Sequence, residues 1–171
     1  MNETDIAWLN GLEPQCADEQ LRRCCGSKAW CKAMVHHRPF ADVQQLHDTA
    51  DSVMNELSGN DWLEAFACHP PIGNLESLRM KYSGNREWSS VEQSGVAKAD
   101  EQQLLKLEKS NVEYQSKFGF TFIVCATGKS AHEMLLILTH RIKLNSKEEL
   151  INASMEQRKI THLRIDKLEK N

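Results

Sequence analysis

The sequence lacks the features that would place the protein in a membrane, on nucleic acid or outside the cell. None of its apolar runs approaches the ~18 consecutive residues that a membrane-spanning helix needs. Its 21 basic and 24 acidic residues give a formal net charge of −3, and they form no basic stripe that could follow a phosphate backbone. Residues 1–11 contain acids but not the basic and apolar regions of a signal peptide. We therefore expect a cytoplasmic protein that binds neither nucleic acid nor membrane.

Metal-ligand spacing is also missing. The six cysteines include no Cys-x-x-Cys pair, and without a secretory signal we expect them to be reduced, small hydrophobic side chains. His132-Glu133 begins like a zinc-protease helix, but Leu136 stands where the second histidine is needed. The sequence thus predicts no metal site.

A nucleotide-binding loop is excluded on similar grounds. Gly128-Lys129-Ser130 follows an apolar run and precedes a helix, which is the setting of a phosphate-binding loop. That motif requires another glycine five residues before Gly128, where this chain has Ile123. Because the tight phosphate cradle would be lost, the sequence argues against nucleotide binding.

What the sequence does have is helical periodicity. Apolar side chains recur at three- and four-residue spacing after Asp42, a predicted N-cap, until Ser58-Gly59 ends the helix. Gly119 is placed to end another helix. Further helices are expected, from their apolar spacing or their start signals, at residues 18–25, 27–37, 61–67, 76–81, 104–118, 130–142 and 146–168.

Two of these helices have capping boxes as start signals. Ser130-x-x-Glu133 and Ser146-x-x-Glu149 each place a hydroxyl and a carboxylate where they can bind free backbone N–H groups of the first turn. The fold class predicted is therefore all-α, a single-domain helical bundle that covers residues 1–171.

One short segment does not follow the helical pattern. Residues 120–126 are apolar and β-branched, so they predict a buried extended segment within the bundle. No sheet is available for it to join, and its backbone N–H and C=O groups need partners. Those partners are either a ligand or another loop.

A histidine and a glutamate stand out as candidates for proton transfer. His69 precedes a proline, and Glu92 lies in the Ser89-x-x-Glu92 word about twenty residues later. An imidazole titrates near neutrality, and a fixed carboxylate beside it can hold its tautomer or accept a second proton. The alternatives are structural: His69 as a loop residue, and Ser89 with Glu92 as a helix capping box.

Arg164 is the third candidate. In an α-helix it falls on the same face as Ile160, Leu163 and Leu168, and an inward-facing arginine needs an anionic partner. The structural alternatives are a guanidinium that reaches solvent at the domain edge and a buried salt bridge with an acid. The functional alternative is a clamp on an anionic or carbonyl-rich substrate, for which the planar guanidinium is well suited.

Four sequence words occur in an order that identifies a family. They are HPPIGN at 69–74, WSSVEQS at 88–94, KFGFTFIVCA at 117–126 and EQRKITHLR at 156–164, accompanied by RPF at 38–40 and DWLEAF at 61–66. Together they resemble the 2-oxo-4-hydroxy-4-carboxy-5-ureidoimidazoline (OHCU) decarboxylases of urate degradation over essentially the whole chain. Thr121 departs from the family pattern, which often has proline there.

The resemblance implies an all-α, usually dimeric enzyme that uses no cofactor and converts OHCU to (S)-allantoin and CO2. It implies His69 as the catalytic residue, with Glu92 orienting or assisting it. It also implies a substrate pocket lined by Pro70, Ser89, Ser90, Val91, Glu92, Gln93, Arg164 and the backbone of Phe122, Ile123, Val124, Cys125 and Ala126. The alternative is a non-catalytic helical interaction module of the same fold, and the sequence leaves open whether His69 or Glu92 first takes the hydroxyl proton.

Overall fold

The computed structural model describes residues 1, 3–70, 75–82 and 93–169. Within these ranges the chain forms helices and no strand, which confirms the all-α prediction. None of the described helices combines the length and the apolarity needed to cross a bilayer. The helices are α1 (Glu3–Gly11), α2 (Pro14–Arg22), α3 (Lys28–His36), α4 (Val43–Asn55), α5 (Gly59–Ala67), α6 (Leu75–Tyr82), α7 (Gln93–Phe118), α8 (Ala131–Arg141) and α9 (Ser146–Asp166).

The helices belong to two compact units. The first comprises Met1–His69, Ile123–Cys125 and Leu150–Asn171, and the second comprises Pro70–Phe122 and Ala126–Glu149. In the first unit α3 packs against α2, α4 and α5, and in the second α7 packs against α6 and α8. Fully buried side chains of the first unit include Leu21, Trp30, Met34, Leu46 and Phe66, and those of the second include Leu107, Tyr114 and Leu138. That residues 1–171 act as one domain stays a prediction.

Side-chain caps begin several helices where the sequence predicts them. The Asp42 carboxylate accepts a hydrogen bond from the Gln45 N–H at 2.7 Å and so starts α4. Ser130 and Glu133 form the predicted capping box of α8. Gly119 follows α7 with a φ of +79°, a conformation that glycine adopts without steric cost.

Two predicted helix signals prove to be wrong in detail. Ser58-Gly59 does not simply stop α4, because Ser58 is the N-cap of α5 and forms a capping box with Asp61. At α9 the cap is Asn145 rather than Ser146: its side-chain oxygen accepts from the N–H groups of residues 147 and 148, and the Glu148 carboxylate accepts from the Asn145 N–H. The capping box therefore lies one residue earlier than predicted, and Glu149 has a different role.

Glu149 is part of a buried polar cluster in the second unit. Its carboxylate is fully buried and accepts hydrogen bonds from the Arg141 guanidinium, with Arg141 Nε at 2.8 Å, and from the Tyr114 hydroxyl. The guanidinium carbon of Arg141 lies 4.8 Å from the centre of the Phe122 ring. Burial and the bond to Glu149 raise the pKa of the Tyr114 phenol, which therefore stays protonated as a donor. The cluster joins α7, α8 and the start of α9.

The segment after Gly119 is buried and non-helical, as predicted. Residues 121–126 are in neither helix nor strand, and Phe122, Ile123 and Val124 are at most 9% exposed. In the first unit the Cys125 N–H donates to the Glu156 carboxylate at 2.7 Å. At this position the backbone partner is thus a side chain of the protein, an alternative that the sequence analysis did not consider.

Candidate functional site

His69 lies in the turn that follows α5, and a glycine lets a neighbouring loop approach this turn closely. Its N–H donates to the Phe66 carbonyl at 3.0 Å, which continues the chain out of the helix. A Cβ atom on Gly26 would lie 2.3 Å from Cys68 Sγ, so only glycine fits there without movement. The loop at residues 24–27 is therefore held against the turn that carries His69.

The His69 side chain is bonded to a buried amide on α9. His69 Nε2 lies 2.6 Å from Gln157 Oε1. Gln157 Nε2 in turn lies 3.2 Å from the Thr161 hydroxyl oxygen, one helical turn further along. Gln157 and Thr161 are both fully buried. His69 is thus attached to the protein interior through one ring nitrogen.

The environment of His69 favours its neutral form. Burial lowers the pKa of the imidazole below its usual 6.5, and the positive charge of Arg164 lowers it further. The hydrogen bond to Gln157 raises the pKa, with an effect smaller than that of burial but larger than that of Arg164. At neutral pH the side chain is therefore uncharged and has a lone pair available to accept a proton.

Arg164 lies half-buried on α9, and the inward side of this helix is a mixture of apolar and polar residues rather than the apolar face that the sequence predicts. Of the predicted apolar residues Leu168 is buried but Leu163 is 37% exposed, and the buried side also contains Ile165, Thr161 and Gln157. The half-buried guanidinium donates to the Cys24 carbonyl at 3.3 Å. Among the residues that the structure describes, it has no carboxylate partner. The structural ion pair considered as an alternative is thus not present in this part of the chain.

Three site residues on α9 were missed by the sequence analysis: Glu156, Gln157 and Thr161. Gln157, Thr161 and Arg164 are spaced by four and three residues and so share one helix face. A polar set at this spacing in a helix that must also bury a face is the signal that could have identified them. Glu156 positions the segment at Cys125, where its carboxylate engages the backbone N–H.

The predicted site residues are divided between the two compact units and the residues that the structure does not describe. His69, Arg164, Ile123, Val124 and Cys125 belong to the first unit, and the Cys125 N–H is already donated to Glu156. Pro70, Phe122 and Ala126 belong to the second unit, where Pro70 is exposed, Phe122 packs on Tyr114 and Ala126 is half-buried. Gln93 begins α7, while Ser89, Ser90, Val91 and Glu92 lie outside the described residues. The pairing of Glu92 with His69 therefore stays a prediction.

The described residues contain no group of three or more His, Cys, Asp or Glu side chains that could hold a metal ion. Cys16, Cys24, Cys25, Cys31 and Cys68 form no disulfide. Burial raises the pKa of the Cys24 and Cys25 thiols near Arg164, to about 12 and about 11, so they remain protonated and unreactive at neutral pH. The His69 imidazole, near the Arg164 guanidinium, is a group that can transfer a proton at neutral pH.

Comparison with known proteins identifies the family of this chain. Residues 10–166 match the family model described as OHCU decarboxylase. The chain is 37% identical over 151 residues to the uric acid degradation bifunctional protein TTL of Arabidopsis thaliana. This alignment covers 88% of the chain and 47% of the Arabidopsis protein. It is 27% identical over 135 residues to the 2-oxo-4-hydroxy-4-carboxy-5-ureidoimidazoline decarboxylase of Xenopus laevis, and this alignment covers 78% of the chain and 75% of the Xenopus protein. The chain thus spans about half the length of the Arabidopsis relative.

Solved structures agree with the sequence matches. A crystal structure of OHCU decarboxylase in the presence of (S)-allantoin matches with a TM-score of 0.68 and 38% sequence identity. The match covers 88% of this chain and 96% of the chain in that structure. A crystal structure of (S)-allantoin synthase, 17% identical, shares the fold with a TM-score of 0.70, and the match covers 96% of this chain and 53% of that one. On the family match over residues 10–166, this chain belongs to the OHCU decarboxylase family.

Proposed function

We propose that this chain decarboxylates OHCU to (S)-allantoin in urate degradation, without a cofactor. The observation that carries the proposal is a neutral, half-buried His69 beside Arg164, in a chain that matches the OHCU decarboxylase family over residues 10–166. The relatives that carry this name and the neighbour with (S)-allantoin support the choice of substrate and product. A non-catalytic helical module of the same fold is the alternative.

The substrate itself explains why no cofactor is required. Its carboxylate is attached beside a ring C=N bond, so the electron pair released with CO2 can move into the ring, whose nitrogen takes up one proton. The hydroxyl proton must then leave the oxygen, and a proton must reach one face of the neighbouring carbon. A single group that accepts the hydroxyl proton and then donates it to the neighbouring carbon completes the reaction.

The residues of the site can be assigned to these steps. His69, neutral at pH 7, accepts the hydroxyl proton and returns it to carbon, with Glu92 as the proposed residue that assists it. Arg164 has donors to spare beyond its bond to Cys24 and holds the carboxylate and the developing negative charge. Pro70, Ser89, Ser90, Val91, Gln93 and the segment of residues 122–126 are the proposed lining of the substrate site.

Turnover of freshly generated OHCU tests the proposal. OHCU is made from urate by its upstream enzymes, and its disappearance is followed by ultraviolet absorbance with and without this chain. We expect decay to accelerate in proportion to the amount of protein added. A decay rate equal to that in buffer at every protein concentration would favour the non-catalytic module.

Arg164→Gln should impair the reaction but not the fold. Because Arg164 has no carboxylate partner within the described residues, its removal should leave the melting temperature unchanged or slightly higher. Substrate binding should weaken by one or two charge-assisted hydrogen bonds, roughly 1.5–3 kcal/mol each. The acid limb of the kcat/KM profile should also move to higher pH, because the loss of the positive charge raises the pKa of His69.

Steady-state kinetics and thermal melts check this result. Arg158→Gln is the matched control, since Arg158 lies on the same helix but pairs with Asp51 and Asn55, and its kinetics should stay normal. Arg164→Lys should rescue poorly, because one ammonium cannot replace the planar fork of donors. A large drop in melting temperature with normal kinetics in the folded fraction would make Arg164 a structural residue.

Dialysis against a strong chelator should leave the activity unchanged. The proposed chemistry uses only side chains and the substrate's own C=N bond, and no described cluster has the composition of a metal site. The rate of OHCU decay before and after dialysis measures this directly. Loss of activity that one divalent metal restores would contradict the cofactor-free mechanism.

We also propose that the chain forms a homodimer, acts in the cytosol and works as one domain over residues 1–171. A reducing compartment fits the thiols that form no disulfide, those of Cys16, Cys24, Cys25, Cys31 and Cys68. Large apolar side chains left exposed on α7 and α8, at Val112 and Leu136, are of the kind that subunit contacts cover. Sedimentation equilibrium measures the state of assembly, and a monomer at working concentrations would contradict the dimer.

A further inference from the structure

The bond between His69 and Gln157 has a defined direction. The Thr161 hydroxyl has one hydrogen, and two carbonyl oxygens are near it: that of Gln157 at 3.0 Å and that of Cys24 at 3.5 Å. The hydroxyl donates to the Gln157 carbonyl, the nearer of the two, and its oxygen accepts from Gln157 Nε2. The amide therefore turns its nitrogen to Thr161 and its oxygen to His69.

This direction determines which nitrogen of His69 has the hydrogen. Gln157 Oε1 can only accept, so His69 Nε2 must be the donor in their 2.6 Å contact. In a neutral imidazole one nitrogen donates and the other accepts, which leaves Nδ1 with the free lone pair. Among the described residues nothing forms a hydrogen bond with Nδ1.

We infer that Gln157 is a positioning residue for His69: it holds the hydrogen on Nε2 and so makes Nδ1 the atom that accepts and returns the substrate's proton. The inference rests on the proposed function for its kinetic consequence, but the tautomer itself is a property of the free protein. Gln157 also remains an acceptor for Nε2–H when Nδ1 is protonated, so the imidazolium formed during the reaction keeps its orientation.

Full burial of the amide supports a dedicated role. Gln157 and Thr161 are both 0% exposed on a helix whose other fully buried side chains include Ala153 and Ile165. A buried amide costs free energy unless its groups are bonded, and here one amide group is bonded to His69 and the other to Thr161. Arg164 is the charged group near His69 within the described chain, and as a cation it cannot hold the Nε2 hydrogen.

Nitrogen-15 NMR of histidine-labelled full-length protein tests the tautomer without substrate. The His69 signals are those that disappear in His69→Asn, and in the wild type they should show hydrogen on Nε2 and a bare Nδ1. Gln157→Met removes the acceptor at similar volume and should give a mixture of both tautomers. Gln157→Glu keeps the acceptor and should retain the Nε2–H form. Wild-type signals from the opposite tautomer would overturn the inference, whatever the activity of the chain.

Kinetics then test what the tautomer is for. We expect Gln157→Met to lower kcat roughly 10- to 100-fold, the usual range for a residue that orients another one, with KM little changed. Gln157→Glu should keep more activity but move the acid limb of the pH profile to higher pH, because a carboxylate beside the imidazole raises its pKa. Gln44→Met, at an exposed glutamine bonded to Asp48, is the matched control.

Failure of the proposed decarboxylase function can be distinguished from failure of the inference about Gln157. If the chain does not act on OHCU, the NMR result still decides whether Gln157 holds the tautomer. If the chain is active and Gln157→Met has the same kcat and pH profile as Gln44→Met, then Gln157 is merely structural and the inference is wrong. Should Gln157→Met fail to fold, an unmoved pH profile in Gln157→Glu would overturn the inference equally well.

Discussion

His69→Asn is expected to lower the decarboxylation rate at least ~100-fold and to leave the protein folded. The size follows from the role, since a positioned acid or base contributes typically 10²–10⁴-fold. The fold should survive because His69 is half-buried in a turn, and within the described residues its side chain is hydrogen-bonded to Gln157 only. Single-turnover kinetics with fresh OHCU, together with circular dichroism melts, measure both parts.

The pH dependence of the wild type completes this prediction. Because the pKa of His69 in the folded protein lies below 6.5, the imidazole should stay neutral and active down to mildly acidic pH. The kcat/KM value should fall only as the pH drops through that lowered pKa. His36→Asn, an exposed histidine at the end of α3, should change neither the rate nor the profile. Wild-type turnover in His69→Asn would mean that another group moves the proton.

Glu149→Gln should cause the largest loss of stability among the substitutions considered. It leaves the Arg141 guanidinium, whose side chain is 6% exposed, without its carboxylate. Removing one partner of a buried pair costs about 3–5 kcal/mol, because the buried guanidinium loses the carboxylate charge that offsets its own. For a chain of this size each kcal/mol lowers the melting temperature by about 2–4 °C, so we expect a drop of roughly 6–20 °C.

Two controls separate the buried pair from ion pairs in general. Arg79→Met breaks the pair with Glu101, which lies on the surface, and should barely change the melting temperature. The double variant Arg141→Met/Glu149→Leu removes both charges and should recover much of the loss, since apolar replacements of a buried pair are often tolerated. A melting temperature for Glu149→Gln equal to that of Arg79→Met would show that the cluster does not stabilise the fold.

Local signals explain how much of the fold could be predicted. The Asp42 N-cap and the Ser130–Glu133 capping box depend only on side chains within one turn, so the sequence is enough to find them. Ser146 and Glu149 have the same spacing but a different use, because Asn145 caps α9 and Glu149 pairs with Arg141. A spacing rule cannot distinguish a capping carboxylate from one committed to a distant arginine.

Some residues of the site could be predicted from the sequence, and others could not. His69 and Arg164 could be singled out because a pre-proline histidine and an inward arginine are unusual locally, whereas Gln157 is an ordinary helical residue until His69 lies 2.6 Å away. The contact joins residues 88 positions apart, and only the packed chain brings them together. The sequence places Leu163 on the buried face of α9 incorrectly, because that side contains the polar residues Gln157 and Thr161 as well as apolar ones.

The central claim is that this chain returns a proton to one face of the substrate, with His69 Nδ1 as the carrier. Circular dichroism of the product formed from fresh OHCU measures this directly, since uncatalysed decay has no reason to favour either face. We expect a single enantiomer, (S)-allantoin, from the wild type, and a slow, optically inactive product from His69→Asn. A racemic product from the wild type, formed at the rate seen in buffer, would contradict it.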